Sequence, residues 1–311
     1  STEIAEPTLH EGRIVSHTLD SSGRFGFHQC SPDDIARRLM DRLPRDQRIP
    51  IGFPTRSGRC ITYEKGRADI QFGDHRVRDA LDSVAAQCGL TLYANRVGAV
   101  LHRRLPDAQR AALLASFDQA NAEQIAEAAK ALAASGDLTV IKRLLLALAE
   151  DAERSVAAAV ALRDFIPSSW DSIHLPESLL LGLADDHDCC ASVLTALGHA
   201  DLPTTTRDTI VRVAGHLRIV EAGDLLLPLA RNYANACRET YHSTRGTDLF
   251  SANLVVGRAA VDALGFLGVA AGPTLAGLLD PELGSGNDCI CQALGRMRCQ
   301  EAVQPLLELN R

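Results

Sequence analysis

The sequence predicts a small α+β module followed by an all-α solenoid of stacked helices. The first observation is an internal repeat, since residues 215–229, 265–279 and 295–309 align without a gap and each begins with glycine. The second is that short segments with strand-like alternation lie within residues 23–105, whereas the rest of the chain follows helical spacing. A repeated unit that cannot bury its apolar face alone must stack on its neighbours.

The first hundred residues divide into an unpatterned leader segment, residues 1–22, and the α+β module, residues 23–105. Helices are predicted near 32–43 and 77–89, the second ending at Gly89, which suits a C-terminal cap. The alternating patterns predict six short strands, near residues 26–30, 48–53, 60–63, 68–72, 90–93 and 99–101. We therefore expect two helices packed on one small sheet.

Part of this module carries a family resemblance. Residues 70–101 contain a strand, a helix with the phrase Asp-Ala-Leu-Asp-Ser-Val-Ala-Ala-Gln-Cys-Gly-Leu at 79–90, and a second strand. In this order the segment resembles the short N-terminal module of secretins and TonB-dependent receptors. The resemblance implies a protein-binding module without catalytic residues in a bacterial cell envelope or periplasm; from the residues alone, a cytoplasmic location is equally open.

The helical region, residues 106–311, carries a second resemblance. The phrase Ala-Leu-Gly occurs at residues 263–265 and again at 293–295, each time at the start of an aligned repeat. This pattern is similar to HEAT-type repeats of the short bacterial kind also seen in phycobilisome-lyase-like proteins. The resemblance implies a curved helical array that binds proteins and is only rarely an enzyme.

Helix boundaries in this region follow from apolar spacing, caps and glycines. Asp137 and Ser251 are predicted N-caps, and Gly136, Gly198 and Gly268 are predicted helix ends. Twelve helices are predicted, near residues 107–117, 121–134, 138–149, 151–164, 176–184, 188–198, 205–217, 219–231, 252–267, 270–279, 286–297 and 299–309.

The spacing of the repeat predicts an insertion. The aligned glycines are 30 residues apart between 265 and 295 but 50 apart between 215 and 265, which places about 20 extra residues near 231–250. Insertions in repeat proteins lie on one face and often serve recognition. The residues that we predict to bind a partner are Tyr233, Arg238, Tyr241, His242 and Arg245 in this segment, together with Trp170, the only tryptophan. Trp170 could equally fill a joint between repeats.

The two predicted regions differ in net charge. Residues 1–105 carry 16 Lys and Arg against 13 Asp and Glu, a net charge of +3, whereas residues 106–311 carry 16 against 26, a net charge of −10. An acidic surface repels nucleic-acid backbones, so a protein with a basic surface is the expected partner.

The sequence favours no metal, cofactor or catalytic site. The cluster Asp185–Cys190 contains carboxylates, an imidazole and thiols, but adjacent ligands point in different directions, so a helix-initiating turn is the preferred interpretation. Most of the nine cysteines lie among apolar residues, and we interpret them as small hydrophobic groups; an exported chain would leave one or two disulfides open. No nucleotide-binding or hydrolase motif is present.

These observations favour a noncatalytic scaffold that binds another protein through an acidic helical surface. Two alternatives stay open at this stage. One is a HEAT-repeat enzyme or enzyme subunit acting on a small molecule, and the other is nucleic-acid binding through the Arg-rich N-terminal module. The identity of the partner and the oligomeric state do not follow from the sequence.

Overall fold

The computed structural model describes residues 25–30, 50–53, 55–56, 59–60, 68–72, 77–163, 165–166, 177–242, 252–268 and 271–309. The chain is mostly helical, with a small sheet near the N-terminus. The predicted leader 1–22, the predicted helix 32–43 and the predicted cap Ser251 lie outside the described residues. None of the described helices is long and apolar enough to cross a membrane.

Four predicted strands, near 26–30, 68–72, 90–93 and 99–101, are present within one residue of their bounds. The strands predicted at 48–53 and 60–63 are described only at 51–53 and 59–60, and two further strands were not predicted. The described strands form three separate sheets rather than the one sheet that was expected.

The described strands are β1 (Phe25–Cys30), β2 (Ile51–Phe53), β3 (Thr55–Arg56), β4 (Arg59–Cys60), β5 (Ala68–Phe72), β6 (Thr91–Ala94), β7 (Ala99–His102) and β8 (Glu177–Ser178). β1 pairs antiparallel with β5, and β3 with β4. A four-stranded sheet has the order β6-β7-β2-β8, with β6 and β7 antiparallel and β2 parallel to both of its neighbours.

One strand of that sheet comes from the helical region. Gly52 pairs with Glu177 and Phe53 with Ser178, so β8 lies next to β2 although about 125 residues separate them. The 3₁₀ helix that follows, Leu179–Leu183, packs against β2 and β7. Asn95, in the β6–β7 turn, donates a hydrogen bond of 2.7 Å to the Leu181 carbonyl. The α-helix predicted at 176–184 is therefore only partly present, because residues 177–178 form a sheet edge and the apolar residues 179–183 form a 3₁₀ helix.

Twelve α-helices lie in the described residues: α1 (Val77–Gln87), α2 (Asp107–Asp118), α3 (Ile125–Ala134), α4 (Leu138–Ala147), α5 (Ala152–Arg163), α6 (His187–Leu197), α7 (Thr204–His216), α8 (Gly223–His242), α9 (Ala252–Leu267), α10 (Gly272–Ala276), α11 (Gly286–Met297) and α12 (Val303–Leu309). Asp137 caps α4 as predicted, accepting from the Thr139 N–H at 2.8 Å. Gly136 and Gly268 have positive φ, as helix-ending glycines do.

The helices after β7 lie in two layers. The odd-numbered helices α3, α5, α7, α9 and α11 each pack against the next one in that order. α2, α4 and α6 pack against one another and against the first layer, and α8 packs along α9. One hydrophobic cluster runs from Val100 in β7 to Ala302 beyond α11. This order is compatible with a helical repeat protein.

Two of the three repeated glycines lie at equivalent helix crossings. A β-carbon on Gly215 of α7 would lie 2.7 Å from the Cα of Ala263 in α9, and one on Gly265 of α9 would lie 3.0 Å from the Cα of Ala293 in α11. Both alanines lie two residues before the glycine of the next repeat. Gly295 in α11 is exposed, and a β-carbon there meets no atom within 4 Å. The repeat therefore encodes a close approach of two backbones that is used twice.

Candidate functional site

The segment predicted as an insertion begins inside a helix. Helix α8 continues to His242, whereas the pattern predicted its end near residue 231. Tyr233 is 5% exposed, and its hydroxyl lies 3.5 Å from the Gly286 carbonyl oxygen. A β-carbon on Gly257 of α9 would lie 2.6 Å from the Tyr233 Cβ. Tyr233, predicted to face a partner, is thus enclosed between α8, α9 and α11.

Arg238, one turn further along α8, is also held by the protein itself. Its Nε donates to Asp280 Oδ2 at 2.9 Å, and its Nη1 donates to Asn235 Oδ1 at 3.1 Å. Asp280 also accepts from the Glu282 N–H, at the start of a short 3₁₀ turn before α11. About a third of the Arg238 side chain is exposed, so this residue links α8 to the next repeat and still reaches solvent.

The other predicted partner-binding residues cannot be placed by their side chains. Tyr241 and His242 form the last residues of α8, but their side chains are outside the described set. Arg245 and Trp170 lie outside the described residues altogether. Their partner-binding roles stay predictions.

A group of charges that the sequence analysis missed surrounds Phe117 at the end of α2. Arg143 of α4 donates to Asp118 at 2.7 Å and contacts Glu150 at 2.7 Å. Arg154 of α5 lies 3.5 Å from Asp151. Both guanidinium groups lie over the buried Phe117 ring, at 5.0 and 5.5 Å from its centroid. Burial of Arg143 opposes its charged form, but the bonds to Glu150 and Asp118 outweigh that effect and raise its pKa.

A second group of carboxylates is held by Lys142, the residue before Arg143 in α4. Lys142 donates to Asp186 at 2.6 Å, and Arg96 pairs with Asp185 at 2.5 Å. Asp186 is the N-cap of α6 and accepts from the Cys189 N–H at 3.1 Å. Burial favours the neutral form of Asp186, but the bonds from Lys142 and Cys189 prevail and lower its pKa. The predicted helix-initiating turn is thus present.

Together these groups form what we call the acidic band. It consists of six carboxylates near α4: Asp118, Glu150, Asp151, Asp185, Asp186 and Asp188. The side chains of Asp151 and Asp188 are 60% and 73% exposed, whereas those of Arg143 and Arg154 are about 20% exposed. Around Phe117 the arginines therefore lie beneath Asp118 and Asp151. In the other half the order is reversed, since Arg96 is 75% exposed against 32% for Asp185, and Lys142 is 34% exposed against 23% for Asp186. Sequence spacing could not reveal this, since the six residues come from three separate turns.

The thiols are structural in their placement. Seven cysteines have side chains that the structure describes, and all seven of these are free. Burial raises the pKa of Cys189, Cys237 and Cys289, so their reactive thiolate forms are disfavoured. In the described part of the chain, no three His, Cys, Asp or Glu side chains are grouped to hold a metal ion.

Comparison with known proteins gives no family assignment, because no family model, no curated protein and no solved structure matches this chain.

Proposed function

We propose that this chain is a noncatalytic scaffold of the helical-repeat type, and that the acidic band binds a basic surface on another protein. The observation that carries the proposal is the exposure of Asp118, Asp151 and Asp188, whose side chains are 49%, 60% and 73% exposed, whereas Arg143 beneath Asp118 is 20% exposed. Helix α4 ties both halves of the band to the packed helices, because its Lys142 holds Asp186 and its Arg143 holds Asp118.

Binding a partner costs conformational entropy wherever side chains of the surface become ordered. Carboxylates already held by arginines lose little side-chain freedom when a second cation arrives, which favours a basic partner. Complementary charge of this kind chiefly raises the association rate and selects partners by sign. The region's net charge of −10 adds long-range attraction for the same class of partner.

Charge reversal tests the proposal. We would use the chain as bait in crosslinking pull-downs from the native host, comparing wild type with the triple variant Asp118→Lys, Asp151→Lys and Asp188→Lys. The matched control reverses three exposed acids elsewhere: Asp224→Lys, Glu239→Lys and Glu308→Lys. We expect the band variant to lose the partner and the control to keep it, with capture by wild type weakening as salt rises.

Equal capture by both triple variants would overturn the band as the binding site. Partners that bind independently of salt would also contradict it, because screening must weaken a charge-driven contact.

A further inference from the structure

Two cysteines, one on α8 and one on α11, converge on the buried Tyr233. On α8, Tyr233 and Cys237 are four residues apart and therefore lie on the same face of the helix. Cys237 reaches the first residue of α11, because a β-carbon on Gly286 would lie 2.9 Å from its Sγ and 3.2 Å from its Cβ. Cys289 follows Gly286 by three residues, so it is the neighbour of Gly286 on the surface of α11.

The Tyr233 hydroxyl lies between the two thiols. It forms hydrogen bonds with the thiols of Cys289 and Cys237, and it lies 3.5 Å from the Gly286 carbonyl oxygen. A disulfide requires two Cα atoms within about 7 Å of each other. Cys237 already touches α11 one helical turn from Cys289, so a bridge needs side-chain rotation and at most a small shift of the first turn of α11.

The two thiols differ in accessibility, which gives them different roles. Cys237 is partly exposed, whereas Cys289 is 4% exposed, so an oxidant from solution meets Cys237 first. Burial raises the pKa of both thiols, and Tyr233 and Arg258 act against that effect. The thiolates are therefore a minor population, and we expect a slow reaction.

We propose that Cys237 and Cys289 are a redox pair that forms a disulfide between α8 and α11, with a small-molecule disulfide such as oxidised glutathione as the oxidant. The Cys237 thiolate attacks one sulfur of the oxidant, whose S–S bond breaks and releases one thiol. Cys289 then loses its proton and attacks the Cys237 sulfur, which forms the bridge and releases the second thiol. The two cysteine protons end on the two released thiols, so the protein loses two electrons and the oxidant gains them.

The bridge fastens α8 to α11 close to the end of α8. It encloses residues 238–288, which include α9 and the residues 243–250 that the sequence predicts to serve recognition. None of the carboxylates of the acidic band takes part. The inference therefore goes beyond the proposed scaffold function, and its outcome is independent of that proposal.

Peptide mapping by mass spectrometry under non-reducing conditions tests the pair. The reduced chain is incubated with oxidised glutathione in native buffer at mildly alkaline pH, and the remaining free thiols are then alkylated in acid. We expect a peptide that links Cys237 to Cys289 as the main disulfide among the described cysteines. The same incubation in concentrated urea should lose this preference, because the pairing depends on the fold.

Two variants separate the pair from its surroundings. Cys289→Ala should end with glutathione attached to Cys237 and no bridge. The matched control is Cys291→Ala, which removes a more exposed thiol from the same helix and should form the bridge in the same yield as wild type. Circular dichroism checks folding, and Cys237→Ala replaces Cys289→Ala if that variant unfolds, with Cys289 then expected to stay unmodified.

Three results would overturn the proposal. The first is a wild-type chain that stops at the glutathione adduct of Cys237, because the two sulfur atoms would then be unable to meet. The second is a chain in which both thiols stay free at saturating oxidant. The third is a bridge from either cysteine to a different cysteine as the main product.

Discussion

At the scale of single residues, the glycine that begins each repeat does not have the same surroundings in every copy. Gly215 and Gly265 allow the α7–α9 and α9–α11 crossings to approach so closely that the opposing alanine Cα atoms leave no room for a side chain. Gly295 occupies the same place in the repeat but lies on an exposed face of α11. Packing therefore requires glycine at positions 215 and 265, whereas at 295 glycine is only a weak helix former.

This difference predicts opposite effects of one substitution. We expect Gly215→Ala to lower the free energy of unfolding by about 1–3 kcal/mol, because the new methyl group overlaps Ala263. Gly265→Ala should act in the same direction, less strongly because its contact is 3.0 Å rather than 2.7 Å. Gly295→Ala should stabilise by about 0.5–1 kcal/mol through helix propensity alone. Urea denaturation measures all three, and destabilisation by Gly295→Ala would contradict the assignment.

His216 gives a second residue-scale prediction. Burial, together with Arg218, Arg212 and Arg296, lowers the pKa of His216 to about 3. An unfolded histidine has a pKa near 6.5, so between these values the unfolded chain binds more protons and stability rises with pH. At pH 5 the imidazole should cost about 2 kcal/mol of stability that is regained near pH 7.

Replacing this imidazole isolates its contribution from that of the carboxylates. His216→Leu should show a flatter dependence of the unfolding free energy on pH between 5 and 7, measured by urea denaturation at each pH. An unchanged slope would mean that His216 protonates in the folded protein.

At the scale of elements, α8 shows how far local pattern can mislead. The sequence placed a helix end near residue 231 because the repeat phase is lost there, yet α8 runs to His242. Tertiary contacts explain the extension: Tyr233 is enclosed by α9 and α11, and Arg238 pairs with Asp280. Residues 231–242 of the predicted insertion thus belong to helix α8. The prediction of an inserted recognition segment now concerns residues 243–250, which lie outside the described residues.

Substitution at Tyr233 tests the packing of α8. Tyr233→Ala should lower the free energy of unfolding by about 3–5 kcal/mol, because it empties the space between three helices. Tyr233→Phe keeps the ring and should cost at most about 1 kcal/mol, since the hydroxyl contact with Gly286 is long, at 3.5 Å. Comparable losses in both variants would assign the stability to the hydroxyl rather than to the ring.

At the scale of the whole molecule, β8 joins the two predicted regions. The predicted boundary near residue 105 separates different sequence patterns, but Glu177 and Ser178 pair with β2 across it. The buried leucines of the 3₁₀ helix 179–183 rest against the same sheet. The small sheet and the helices consequently share apolar surface.

Removing residues 1–105 should therefore lower the stability of the helical region. A fragment of residues 106–311 should melt at a lower temperature than the full chain and bind a hydrophobic dye, because Leu179 and Leu181 lose their cover. Differential scanning calorimetry with dye-binding measurements checks this. A fragment with the melting temperature of the full chain would show that the β2–β8 pairing adds nothing to stability.

Much of the fold was predictable where the signal is local. Four of the six predicted strands and the helix after β5 were placed within about two residues of their observed bounds, because alternation and helical spacing depend on neighbours within a few residues. The cap Asp137 and the helix-initiating turn at 185–190 were predictable from side-chain chemistry at a helix start. The candidate site was less predictable: Tyr233 proved buried, and the acidic band joins residues from distant turns.

The sequence by itself determined the repeat, the excess of acidic residues after residue 105 and the positions of most helices, because each is a property of composition or of near neighbours. Only the tertiary structure decided which glycines face another backbone, which carboxylates face outward, and that residues 177–178 complete a sheet. These outcomes depend on contacts between residues far apart in the chain. Side-chain burial and long-range strand pairing are set by packing, and no local pattern contains them.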